Sequence, residues 1–195
     1  MAKTEITRAD VMALDDYLAI RQEKRREMAA VKKNRRVEVG PYCTFYFENY
    51  ATMWHQVHEM LAIEKGGEEQ IPDELHAYNP LIPQGKELTA TVMFEIDDEV
   101  RRKQVLNRLG GVEDHMFIEV NGERIMSRAE EDADRTTAEG KASSVQFVHF
   151  DFTDDQIAAF KQPDSKVMLG IDHPNYGHIA VLPEATRQAL AGDFA

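Results

Sequence analysis

The sequence predicts an α+β domain, a mainly antiparallel sheet flanked by several helices and led by a helical, basic N-terminal segment. Three observations carry that expectation. About seven segments alternate apolar and polar residues with the period of a strand. Asn121-Gly122, between two of them, is a hairpin signal, because both turn positions need positive φ. Few βαβ alternations occur, which disfavours a parallel sheet. A length of 195 residues suits one domain over 1–195, with a helical segment 1–36 and an α+β body 37–195.

The elements follow in order. Thr7 and Asp10 have the spacing of a helix N-terminus, and Val11, Leu14, Leu18 and Ile20 give an imperfect apolar stripe after it. A second helix is expected over Arg21–Arg36, free of Gly and Pro, with Met28 and Val31 as a narrow apolar seam. Val37 and Val39 begin a strand, Gly40-Pro41 turns the chain, and Cys43, Phe45 and Phe47 continue the alternation. A long helix is read from about Asn49 to Lys65, stopped by Gly66-Gly67. Pro72 opens a shorter helix through Leu75 and Tyr78, and residues 79–83 (NPLIP) are expected to be extended, since proline disfavours α in the residue before it.

Leu88, Ala90, Val92, Phe94 and Ile96 read as a strand with one buried face. Residues 98–109 form an amphipathic helix closed by Gly110-Gly111. Met116 to Val120 and Arg124 to Ser127 make the hairpin around Asn121-Gly122, and residues 129–143 read as an exposed, mobile loop. Val145 to Phe152 is a strand, Thr153 caps a short helix through Phe160, Lys166 to Ile171 and His178 to Val181 complete the sheet, and Pro183 opens a last helix.

Composition excludes several functions. Asp and Glu number 35 against 23 Lys and Arg, a net charge of −12, which argues against bulk nucleic-acid or anionic-membrane binding. The one cysteine, Cys43, leaves no internal disulfide or CxxC metal site and fits a reducing compartment. Mean hydropathy is −0.50, and neither a bilayer-spanning apolar run nor a secretion signal is visible, so a cytoplasmic location is expected. GxSxG, Walker A and GxGxxG motifs are absent.

Charge is the least ordinary feature. Residues 21–36 carry eight basic and two acidic residues, a local +6 that leaves −18 on the rest of the chain. A positive helical rod on a negative body can steer docking to an acidic partner, and Lys24, Arg25, Arg26, Lys32, Lys33, Arg35 and Arg36 are the expected partner-binding residues. The competing reading is a solvated face whose charges lean back on the protein's own acids.

Metal-ligand candidates form three groups. His55, His58 and Glu59 stand at i, i+3 and i+4 and share a helix face. His149 and Asp151 share a strand face as the HxD half of a two-histidine, one-carboxylate site, although the eight strands of an oxygenase barrel are hard to find. Asp172, His173 and His178 crowd one polar turn, the preferred place for a small-molecule site. No cofactor is expected beyond a divalent metal at such a cluster.

Several blocks resemble, in order, a bacterial family known as domain of unknown function 3501. They are GPYCTFYFEN, a helix ending in HEMLAIEK, ELHAYNPLIPQGKELTAT, LGGVEDHMFIEV and GIDHPNYGH followed by LPEATRQAL, with KKNRR preceding VEVGP. The resemblance spans nearly the whole chain and brings no catalytic residue with it. Family members are typically encoded beside rubrerythrin-like and iron–sulfur oxidoreductase proteins, which implies a role near peroxide handling or electron transfer. The resulting expectation is a cytoplasmic accessory protein that docks to such a redox partner. The alternative is a mononuclear metal-dependent enzyme using a His/Asp/Glu site. A nucleic-acid binder acting through KKNRR is weaker, since only Tyr17 offers a stacking ring nearby. An exposed edge strand is compatible with a homo-oligomer, and nothing requires one.

Overall fold

The computed structural model describes residues 3–130 and 140–195. Its frame is eight strands: β1 (Arg36–Val39), β2 (Cys43–Glu48), β3 (Glu87–Phe94), β4 (Met116–Val120), β5 (Glu123–Ala129), β6 (Val145–Asp151), β7 (Val167–His173) and β8 (Tyr176–Val181). They lie in the order β1-β2-β3-β6-β5-β4-β7-β8, every neighbouring pair antiparallel. The count is one above expectation, and the sheet curls until β8 approaches β1. At that seam the Tyr176 hydroxyl donates to the Val39 carbonyl at 2.8 Å and accepts from the Tyr42 and Cys43 amides at 3.0 and 3.1 Å. One side chain thus stands in for a missing rung of backbone pairing.

Alternation decides what fills the near-barrel. Val39, Phe45, Phe47, Leu88, Val92, Val148, Phe150, Ile118 and Leu169 all belong to one inner core. The short helices α4 (Glu99–Leu106), α5 (Asp154–Lys161) and α6 (Glu184–Ala191) add Leu106, Phe160 and Leu190 to it. Asn121 and Gly122 have φ of 51° and 94°, as the hairpin signal requires. Thr153 caps α5 reciprocally with Gln156.

A second core lies outside the sheet. Here α2 (Tyr50–Glu64), α3 (Ile71–Tyr78) and the N-terminal segment pack Ile6, Val11, Met53, Val57, Leu61 and Ile71 together, with Phe147 reaching out from β6. Asn49 caps α2 by accepting from the Thr52 amide at 3.0 Å, and Lys65 ends it in the left-handed region. Helix α1 (Leu14–Lys33) lies against α2 and buries only Tyr17 and Met28.

Some local expectations change. The two helices read in the first third are one, α1, and Thr7–Asp10 instead brackets a 3-10 turn, Arg8–Asp10. Arg36 belongs to β1. Residues 79–83 are not extended throughout, because Asn79–Leu81 is a 3-10 turn, and Ile82 after it has β geometry. Tertiary bonds override the proline bias there: the Asn79 side chain holds the Ile6 amide at 2.8 Å and the Ile6 carbonyl at 3.0 Å. Of the loop read at 129–143, residues 131–139 lie outside the described residues. At its margins Ala129 ends β5 and Ala142 is buried in the inner core, so those two positions are not loop surface.

Candidate functional site

The α1–α2 junction gathers the most polar chemistry. The Tyr17 hydroxyl donates to Glu59 Oε1 at 2.8 Å, and Arg21 grips both oxygens of the same carboxylate at 2.9 Å each. That guanidinium pulls the Glu59 carboxyl down to a pKa of about 2, against the opposing effect of burial. The residue before it, His58, is fully engaged. Its Nδ1 lies 2.7 Å from the Trp54 carbonyl, while Nε2 accepts from the Met12 amide at 3.0 Å, which fixes a neutral ring protonated at Nδ1. Burial lowers its pKa accordingly. Trp54 stacks beside it, with ring centroids 3.9 Å apart, and donates its indole N–H to the Asp10 carbonyl at 2.9 Å. His58 therefore ties α2 to the segment before α1, and Glu59 ties α2 to α1 itself.

His55 differs. The residue is only 9% exposed, and both its ring nitrogens are buried without a hydrogen-bond partner. The ring borders a cleft of about 310 Å³ between the helices, walled by Met28 and Val31 from α1 and by Tyr50, Ala51 and Trp54 from α2, with Lys24 and Glu27 paired at its rim.

The C-terminal half of α1 is cationic, and the eight basic residues of 21–36 divide cleanly. Arg21 pairs with Glu59, Lys24 with Glu27, and Arg36 with Glu38. Arg35 is buried, paired with Asp193, and its Nε and Nη2 donate to the Phe47 and Glu48 carbonyls at 2.9 and 3.0 Å. It anchors the fold and is not presented to a partner, a correction to its place in the expected docking set. Arg25, Arg26, Lys32 and Lys33 make no ion pair among the described residues. Arg25 and Lys32, like Arg26 and Lys33, are seven residues apart, so they form two adjacent cationic rows, each spanning about 10 Å of helix.

The other candidates lie elsewhere. His149 and Asp151 do leave β6 on one face, but Asp151 is drawn to Arg128 at 3.0 Å. His149 is clamped between two carboxylates, Nδ1 to Glu87 at 3.1 Å and Nε2 to Glu130 at 2.9 Å. The acids sit on opposite edges of the ring, a geometry for holding a proton on each nitrogen rather than for sharing a cation. In the β7–β8 hairpin only Pro174-Asn175 form the turn. Asp172 pairs with Arg124 at 3.0 Å, His173 Nδ1 accepts from the Asn175 amide at 3.2 Å, and His178 packs on Tyr176 with ring centroids 4.6 Å apart. Among the described residues, no group of three or more His, Cys, Asp or Glu is placed to hold a metal ion. Buried Cys43 has its thiol pushed far up by desolvation, as expected of an inert core cysteine.

Comparison with known proteins identifies the family of the chain. A family model described as protein of unknown function, DUF3501, matches residues 5–194. The chain belongs to the DUF3501 family. A crystal structure of a novel protein of unknown function from Burkholderia pseudomallei K96243 shares the fold at a TM-score of 0.90 and 35% identity, covering 97% of this chain and 99% of that one. Curated protein sequences give no match. No helix among the described residues is long and apolar enough to cross a membrane.

Sequence reasoning had marked the basic run and His55 separately. It missed that they flank one cleft, because which helix α1 would pack against is not encoded in its own periodicity.

Proposed function

We propose that this DUF3501 protein is an accessory protein that docks an acidic surface of a protein partner onto α1. The carrying observation is the four cations Arg25, Arg26, Lys32 and Lys33, which have no ion-pair partner among the described residues although the chain has 35 acidic residues. If the face were merely solvated with its charges leaning inward, these groups would be paired as Arg21 and Arg35 are. Lys32 and Lys33 also stand in the last turn of α1, where cations favour the helix dipole, so part of their placement serves the helix itself. Arg25 and Arg26 have no such role. A positive strip on a net-negative body raises encounter rates with an acidic partner and repels like-charged competitors.

The partner class rests on the family association with rubrerythrin-type and iron–sulfur proteins, and the compartment on the single, buried Cys43. The alternative, a metal-dependent enzyme, has no convergent ligand set among the described residues to support it.

The test is capture from bacterial lysate at low salt, comparing the native protein with a variant carrying Arg25→Glu, Arg26→Glu, Lys32→Glu and Lys33→Glu. A rubrerythrin-type or iron–sulfur protein retained by the first and lost by the second is the expected result. Identical retained sets, or none containing a redox protein, would count against the proposal.

A further inference from the structure

The four unpaired cations of α1 are not scattered along it. Arg25, Arg26, Lys32 and Lys33 are the i−4, i−3, i+3 and i+4 neighbours of Ala29, the positions that surround one residue on a helix surface. Ala29 is exposed and small, so the ring has a shallow, neutral centre. Leu18 and Gln22, also exposed, continue its line, because at about 100° per residue the three fall within about 40° of one another. Leu18 is a large apolar side chain left 43% exposed. From Leu18 to Lys33 the strip is about 22 Å long.

The acids of α1 stand clear of the ring. Glu27 pairs with Lys24, and Glu23 and Asp16 lie about 120° and 140° around the helix from Ala29. Asp15 is near the line but about 20 Å along it from Ala29. Shape argues against a small molecule, whose sites are concave, since a helix surface is convex. A convex strip of this length suits another rod. Exposed ion pairs are weak singly and set orientation and encounter rate more than affinity, so burial of Leu18 is what adds hold. A small residue at the contact centre lets two helix axes approach to about 8–10 Å.

We propose that the partner docks through an acidic amphipathic helix of its own, laid lengthwise on this strip, its carboxylates meeting the ring around Ala29 and an apolar side chain covering Leu18. The inference rests on the docking reading above and adds the element that docks. Leu18 and Ala29 are 11 residues apart, so the partner helix carries its apolar residue about three turns from its acidic cluster.

The probe is a synthetic alanine-based helix of about 20 residues, with glutamates at i, i+3, i+4 and i+7 and a leucine about three turns away on the same face. A second peptide of identical composition has these residues spread around the helix. Both are titrated by fluorescence anisotropy at low salt against the intact protein, Leu18→Gln, Ala29→Gln and the variant with all four cations reversed to Glu. Glutamine is a good helix former without charge, so the two single variants remove only the apolar contact and the close approach. The patterned peptide should bind at least tenfold tighter than the spread one. Leu18→Gln and Ala29→Gln should each weaken it at least threefold, and charge reversal should abolish binding. Equal binding of the two peptides, no saturable binding of the patterned one, or single variants without effect would each overturn the inference. Tighter binding of an oligouridylate of equal charge would overturn it too, in favour of a nucleic-acid surface. Charge reversal that abolishes binding of two equally bound peptides removes the helix and leaves acidic docking in place, which separates the two failures.

Discussion

Arg35 links the first strand to the last helix, and replacing it with Met exposes how much that link is worth. Its guanidinium is 5% exposed, donates to the Phe47 and Glu48 carbonyls, and pairs with Asp193, whose side chain is 8% exposed. Arg35→Met leaves a buried carboxylate without its cation and two buried carbonyls without their donors. Removing one partner of a buried ion pair costs about 3–5 kcal/mol, chiefly because the remaining charge is stranded. In a chain of this size that corresponds to a fall in Tm of about 6–20 °C. Urea unfolding followed by circular dichroism measures it, alongside the double variant Arg35→Met with Asp193→Leu. The double variant should recover most of the loss, since two apolar side chains can replace a buried pair at little cost. A single-variant cost below about 1 kcal/mol, or a double variant no better than the single, would refute the reasoning.

Three further outcomes follow from the same geometry. Tyr176→Phe removes the hydroxyl that joins β8 to Val39, Tyr42 and Cys43, and should cost about 1–3 kcal/mol in chemical denaturation; no loss would mean that the seam is held by packing alone. Gly170→Ala places a Cβ 2.3 Å from the Phe117 ring, which lies across β7 under the Arg124 guanidinium, and should destabilise by about 1–3 kcal/mol, a cost that unchanged thermal unfolding would contradict. Burial alone would lower the His149 pKa, but Glu87 and Glu130 more than offset it, so the folded value lies above 6.5. The stability this cation contributes is then complete below about pH 6.5 and fades as pH rises through the folded value. Urea unfolding from pH 6 to about 9 should show that loss in the native protein and not in His149→Gln, and parallel profiles would rule it out.

Much of the fold was legible because its signals are local. The strand read from Leu88 to Ile96 announces itself by alternation and ends at Phe94, the hairpin by Asn121-Gly122, and α2 by its Asn49 start and the Gly66-Gly67 stop, one residue after the left-handed cap at Lys65. What was not legible depends on distant partners. The bend at Asn79 needs the Ile6 backbone 73 positions away, and the continuity of α1 through Arg21 needs Glu59 and Tyr17 to anchor its first half. The same distinction separates the basic residues of the candidate site. Arg25 and Arg35 look alike in sequence, and Asp193, 158 positions from Arg35, together with the Phe47 and Glu48 carbonyls draws the latter inside. His55, His58 and Glu59 likewise share a helix face by spacing, yet Met12, Tyr17 and Arg21 occupy two of the three and leave His55 alone.

The central claim is that α1 meets its partner through unpaired positive charge. Its most direct test is the association constant with a purified rubrerythrin-type or iron–sulfur partner, measured across salt from about 50 to about 300 mM, because exposed charges are screened beyond about 8 Å at physiological ionic strength. Affinity should fall steeply with salt, and reversing Arg25, Arg26, Lys32 and Lys33 should flatten that dependence and weaken low-salt binding at least tenfold, or about 1.4 kcal/mol. A salt-independent constant, or one unmoved by the four reversals, would contradict it.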